Sequence, residues 1–147
     1  MSEKENRRML AHLMRRAGFG ATSKELDGLS KMSYASVVDT LLDPPDRSWM
    51  GEHLIRRFHH EQSGMMSAFG PSEYWLYQMV TTKAPLVEKM TLFWHGVFAT
   101  ACDKLNYPLV GLNQVEMFRQ SGFGKFDDLL VELSKDPAMI IFLAVSY

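Results

Sequence analysis

Residues 85–102 read PLVEKMTLFWHGVFATAC and have a clear helical period. At about 100° per residue, one face is apolar and carries Leu86, Met90, Phe93, Trp94, Val97, Phe98 and Ala101. The opposite face carries Glu88, Lys89, Thr91, His95, Gly96 and Asp103, and Leu92 is the one large apolar residue out of place. A helix of this kind buries its apolar face and turns its polar face to water. We therefore predict an amphipathic helix with His95 on its polar side.

Helical spacing and helix caps recur on both sides of this segment. Thr22 followed by Glu25 is a capping box, in which each side chain satisfies a free backbone donor of the other residue. Asp136-Pro137 is an N-cap followed by proline in the first helical turn. Residues 47–61 also have helical spacing, and no segment alternates like a strand.

The composition fits one helical domain. The chain has 147 residues, 46% of them hydrophobic, and a formal net charge of -1. This length is enough to bury a core, and the apolar content is too high for a disordered chain. We predict an all-α fold, in which residues 1–147 form a single irregular domain of about eight short helices.

Several classes of partner and compartment are disfavoured. The near-neutral charge argues against nucleic acid as a partner, although Lys4, Arg7, Arg8, Arg15 and Arg16 make the first helix locally basic. No apolar run reaches the roughly 18 residues of a membrane span. The N-terminus lacks the apolar stretch of a secretory signal, so we expect a cytoplasmic protein.

Metal and cofactor motifs are missing from the sequence. Cys102 is the one cysteine, which excludes an internal disulfide or a Cys-rich zinc site. His53, His59 and His60 do not have the spacing of zinc ligands. We expect no metal and no cofactor.

Three segments together resemble a known protein family. They are HLMRRAGFGAT at 12–22, PLVEKMTLFWH at 85–95 and SKDPAM at 134–139. In this order they resemble the N-terminal part of the family called domain of unknown function 1800. The resemblance implies a bacterial, mainly helical protein that has no established activity and is much longer than this chain. Family members continue with an Asp-Asn turn, a Pro-Asn-Glu-Asn stretch and an Ala-Arg-Glu-Leu helix, whereas this chain departs at Ala144.

The end of the chain is apolar on all sides. Residues 138–145 read AMIIFLAV, with no terminal Lys or Arg and no glycine cap. A helix that is apolar all round must be covered all round. Two interpretations stay open: a buried terminal helix, or an incomplete copy of a larger helical fold, truncated or frame-shifted. The second predicts self-association, or binding of a partner protein, through Ile140 to Val145.

His95 is the sharpest candidate for chemistry. An imidazole on the polar face of a helix can act as general base or metal ligand, because its ordinary pKa lies near neutrality. Glu88 shares that face, and Asp136 and Arg119 belong to segments that fit the family pattern. The alternative is a histidine that is hydrogen-bonded between helices or solvated.

Two functional hypotheses follow. The first, which we favour, is a non-catalytic N-terminal fragment or interaction module. The second is an enzyme whose site uses His95, Glu88, Asp136 and Arg119, completed by residues or a partner outside this chain. It predicts that His95 and a carboxylate converge in a cleft. No substrate or reaction class follows from these residues.

Overall fold

A computed structural model describes residues 2–44, 70–98, 100–101, 105 and 108–144 of the chain. In these residues the prediction of an all-α fold is confirmed, since they contain helices and no strand. The described residues form eight helices, which are α1 (Glu3–Ala17), α2 (Ser23–Leu29), α3 (Tyr34–Leu42), α4 (Gly70–Thr81), α5 (Pro85–Val97), α6 (Pro108–Ser121), α7 (Phe126–Lys135) and α8 (Pro137–Ala144). The helix predicted over residues 47–61 lies outside the described part of the chain.

The predicted capping box at the start of α2 is present. The Glu25 backbone N–H donates to Thr22 Oγ1 at 3.3 Å, and the Thr22 backbone N–H donates to Glu25 Oε2 at 2.6 Å. The backbone hydrogen bond from Thr22 lowers the pKa of Glu25, because it favours the ionised carboxylate. Arg7 of α1 forms an ion pair with Asp27 of α2, so part of the positive charge of α1 is neutralised by another helix of the same chain.

Two apolar clusters form the core of the described ranges. The first joins Leu10 of α1 to Val37 and Leu41 of α3, and Leu86 of α5 packs against it. The second joins the C-terminal helices, and its members are Phe118, Leu129 and Leu133, with Trp94, Phe98, Met117 and Met139 packed around them. Helix α5 therefore contacts the first cluster at its start and the second at its end.

The predicted buried face of α5 is partly wrong. Val87, Glu88 and Thr91 are its buried residues, whereas Phe93 and Val97 are 54% and 53% exposed. Polar residues are tolerated inside when their hydrogen bonds are satisfied. Thr91 Oγ1 donates to the Val87 carbonyl within the helix, and Glu88 has partners on two other helices, as described below.

The apolar C-terminal helix α8 is only partly covered. Ala138 is fully buried, and Met139 packs against the second cluster. Ile140 and Leu143 are 53% and 56% exposed. The expectation of a terminal helix buried on every side is therefore wrong for these two residues. No helix of the described ranges has both the length and the apolar character needed to cross a membrane.

Candidate functional site

Glu88 of α5 and Arg119 of α6 form a buried ion pair. Arg119 Nε donates to Glu88 Oε1 at 2.6 Å, and Arg119 Nη2 donates to Glu88 Oε2 at 3.1 Å. Glu88 is only 3% exposed, and Trp75 Nε1 of α4 donates to its Oε2 at 3.0 Å. The pair has the two-pronged geometry that makes Arg–carboxylate contacts strong. It ties α4, α5 and α6 together.

The remaining donors of Arg119 also have partners inside the fold. Its Nη2 donates to Gln78 Oε1 at 2.7 Å, and its Nη1 contacts Glu116. Burial alone lowers the pKa of Arg119, but the hydrogen bond and charge of Glu88, together with those of Glu116, outweigh burial and raise it. Arg119 therefore stays charged and has no role as a proton donor or acceptor.

Asp136 lies in a second, separate hydrogen-bonded cluster. Its Oδ1 accepts from the Met139 backbone N–H at 2.9 Å, which makes it the N-cap of α8. The same atom accepts from Gln114 Nε2 at 2.7 Å. Gln114 Oε1 in turn accepts from Thr100 Oγ1 at 2.5 Å. Asp136 and Gln114 are both buried, so this chain of bonds fixes α8 on α6.

His95 is half-buried and packs against Trp75. The two ring centroids are 5.1 Å apart and the ring planes are nearly perpendicular. His95 Nδ1 is buried and has no hydrogen-bond partner among the described residues. Burial lowers the pKa of His95, because it disfavours the imidazolium. The side chain is therefore neutral at neutral pH.

The four predicted site residues do not meet at one point. Glu88 and Arg119 are in direct contact, and Asp136 belongs to the other cluster. Trp75 stands between His95 and Glu88: its ring faces the imidazole and its N–H bonds the carboxylate. No hydrogen bond joins His95 to any carboxylate of the described residues.

A cavity of about 70 Å³ adjoins His95. It lies between α4, α5 and α6, and its walls are Ser72, Trp75, His95, Thr100, Gly111, Leu112 and Val115. Thr100 connects it to the cluster around Asp136.

No described part of the chain gathers three or more His, Cys, Asp or Glu side chains as a metal site would require. His53, His59 and His60 lie outside these ranges.

Sequence reasoning missed the partners that complete the two clusters. Trp75 and Gln78 lie one helical turn apart on α4, and Gln114 lies within α6. Each is buried, and each bonds a residue at least 13 positions away. A glutamine within an apolar stretch is a weak signal of a buried hydrogen bond, but it does not indicate the partner.

The described helices, joined by two buried polar clusters, define this protein as an all-α protein with a buried ion pair and buried amide hydrogen bonds. The family described as "Protein of unknown function (DUF1800)" matches residues 12–146. The chain belongs to this family. No curated protein matches the chain, and no solved structure matches it either.

The buried His95 predicts a pH dependence of stability. Below pH about 6.5 the unfolded chain binds a proton at His95, whereas the folded chain, with its lowered pKa, binds it only at lower pH. The free energy of unfolding therefore falls as the pH drops below that value, and His95 contributes no slope above it. Urea unfolding at several pH values should show a shallower slope for His95→Gln than for wild type. Equal slopes for the two proteins would contradict the lowered pKa of His95 in the folded state.

Proposed function

We propose that this chain is a non-catalytic helical interaction module, the N-terminal part of a longer DUF1800 protein. One observation carries the proposal: three of the four candidate catalytic residues are used in internal hydrogen bonds. Glu88 and Arg119 bind each other, and Asp136 caps α8 and bonds Gln114. Partners of this kind support a structural role for these three residues.

The docking surface of the module is the exposed side of α8. Ile140 and Leu143 lie three positions apart, so they form one stripe on the helix. Leu130 and Val131 of α7, the helix that precedes α8, are exposed as well. Exposed apolar surface of this kind supports an interaction site. The sequence of α8, PAMIIFLA, contains no charged residue.

We propose a second copy of the chain as the occupant of this surface. A helix without charge can approach its own copy without like-charge repulsion, and a two-fold contact brings the same stripe together from both copies. The stripe then becomes buried in the dimer. Burial of apolar side chains provides the driving force for association.

Sedimentation velocity tests this association. Wild-type protein is expected to shift from monomer to dimer over two orders of magnitude in concentration. Ile140→Glu should weaken the dimer at least tenfold, a change of about 1.4 kcal/mol, because it places a charge in the apolar contact. Val80→Glu is the matched control, since Val80 is a 77% exposed apolar residue on α4.

Two results would contradict the proposal. A wild-type protein that stays monomeric at every concentration would contradict the self-association. Equal weakening of the dimer by Val80→Glu would contradict the role of α8 as the contact surface.

The N-terminal position of this chain within a longer protein is tested separately. Translation of the source DNA past codon 147 should reveal the Asp-Asn and Pro-Asn-Glu-Asn stretches.

A second candidate function is an enzyme in which His95 is the reactive group. Nδ1 of His95 is buried, so a base would act through Nε2, which no hydrogen bond of the described residues occupies. A general base needs such a free ring nitrogen. In this case a carboxylate or substrate from outside the described residues must reach the imidazole. Replacement of His95 by Gln in a longer family member would then abolish its activity in cells without lowering the amount of protein.

A further inference from the structure

We infer that the cavity beside His95 is a binding site for a small uncharged polar molecule with both a hydrogen-bond donor and an apolar part. The cavity lies where α4, α5 and α6 meet, and its volume is about 70 Å³. A single water requires roughly 10–15 Å³ of such space. The cavity therefore admits a molecule of several heavy atoms. This inference is independent of the association proposed for α8.

The polar groups of the wall define what the ligand must offer. Thr100 Oγ1 donates its own hydrogen to Gln114 Oε1, so toward the cavity it presents only acceptor lone pairs. His95 also lines the cavity. Its Nδ1 is buried, so Nε2 is the ring nitrogen that a ligand can reach. A ligand that donates to Thr100 Oγ1 and bonds His95 Nε2 uses both groups. Ser72 is exposed at the edge of the cavity, which gives the ligand a route from solvent.

The remainder of the wall is apolar. Trp75, Leu112 and Val115 line it, and Trp75 is fixed by its bond to Glu88 and its ring contact with His95. Small-molecule sites have this composition, mostly apolar with a few placed polar groups. A methyl or short alkyl group of the ligand would pack here.

The charge of the wall favours a neutral ligand. None of the described residues that line the cavity is charged at neutral pH. Glu88 and Arg119, the nearby charges beyond Trp75, already neutralise each other. An ion moved from water into this cavity would lose its hydration without gaining a counter-charge, which is costly. Primary amides and short alcohols meet all of these requirements.

Acetamide and acetate provide a matched pair of probes, because they have the same size and shape and differ in charge. Wild-type protein at pH 7.5 is titrated with each, and the ring resonances of His95 and Trp75 are followed by NMR. Acetamide should shift both sets of resonances saturably. Acetate should bind at least tenfold more weakly.

Two variants assign the binding to this cavity. His95→Phe keeps a ring against Trp75 but removes the hydrogen bond, so acetamide should bind at least tenfold more weakly, as read from the Trp75 resonances. His12→Phe changes an exposed histidine on α1 and should leave the binding as in wild type. If His95→Phe fails to fold, the comparison of acetamide with acetate in wild-type protein decides alone. Absence of saturable shifts with acetamide, or equal binding of acetate, would overturn the proposal.

Discussion

Arg119→Met is expected to lower the free energy of unfolding by about 3–5 kcal/mol, the range observed when one partner of a buried ion pair is removed. Methionine preserves most of the side-chain volume, so the loss arises from polar groups left without partners. Glu88, 3% exposed, keeps only the N–H of Trp75. Gln78 Oε1 also loses its donor. Urea unfolding followed by circular dichroism measures the change.

A second substitution separates the lost charge pair from lost packing. In Arg119→Met combined with Glu88→Gln, the buried charge is gone and a carbonyl oxygen remains to accept from Trp75 Nε1. The double variant should be at least about 1 kcal/mol more stable than Arg119→Met alone, since an unpaired buried charge costs more than an unpaired amide. If the double variant is instead the less stable of the two, the burial of Glu88 is not what makes Arg119 necessary.

Arg119→Met and the double variant also test whether the ion pair takes part in the proposed self-association. The proposed role of Arg119 and Glu88 is to hold α4, α5 and α6 together, so any effect on association should follow the loss of folded protein. A variant that remains folded under native conditions and still forms the dimer would agree with this role. A folded variant that loses association would place the pair at the interface itself.

Local sequence rules predicted the helices well. The capping box at Thr22 and the cap at Asp136 each join residues three positions apart, and both are present. These contacts form within one helical turn, so their spacing is visible in the sequence.

The orientation of α5 was not predictable from its own pattern. Phe93 and Val97 belong to the most apolar stripe of the helix and yet are exposed, whereas Glu88 is buried. The reason lies 31 positions away, where Arg119 provides the counter-charge. A helix pattern describes which residues prefer burial, but the partner helices determine which ones are buried.

In the candidate site, too, contacts between distant segments were not predictable from the sequence. Sequence reasoning selected Glu88, Arg119, Asp136 and His95, and all four occupy buried or half-buried positions. It did not predict that Asp136 and Arg119 belong to different clusters, because each cluster is completed by a glutamine from a distant segment. The sequence singled out these four residues, but neither the burial of Glu88 nor the partner of each residue was predictable from it.

Asp136→Ala is expected to lower the free energy of unfolding by about 1.5–5 kcal/mol, the sum of two losses. Loss of the N-cap of α8 accounts for about 0.5–2 kcal/mol. The unpaired Nε2 of buried Gln114 adds about 1–3 kcal/mol. Both bonds converge on one atom, Oδ1 of Asp136, so one substitution removes both.

Asp136→Asn is the matched control, and it distinguishes a structural role from a catalytic one. Its side-chain carbonyl oxygen can accept from both the Met139 N–H and Gln114 Nε2, so the variant should retain most of the stability that alanine loses. A catalytic acid or base at this position would be inactivated by either substitution. If Asp136→Asn unfolds as easily as Asp136→Ala, the negative charge itself stabilises α8, through the positive end of the helix dipole. If it is stable but fails in cells where wild type functions, Asp136 acts beyond its role as a cap, and the enzyme hypothesis gains the carboxylate that it requires.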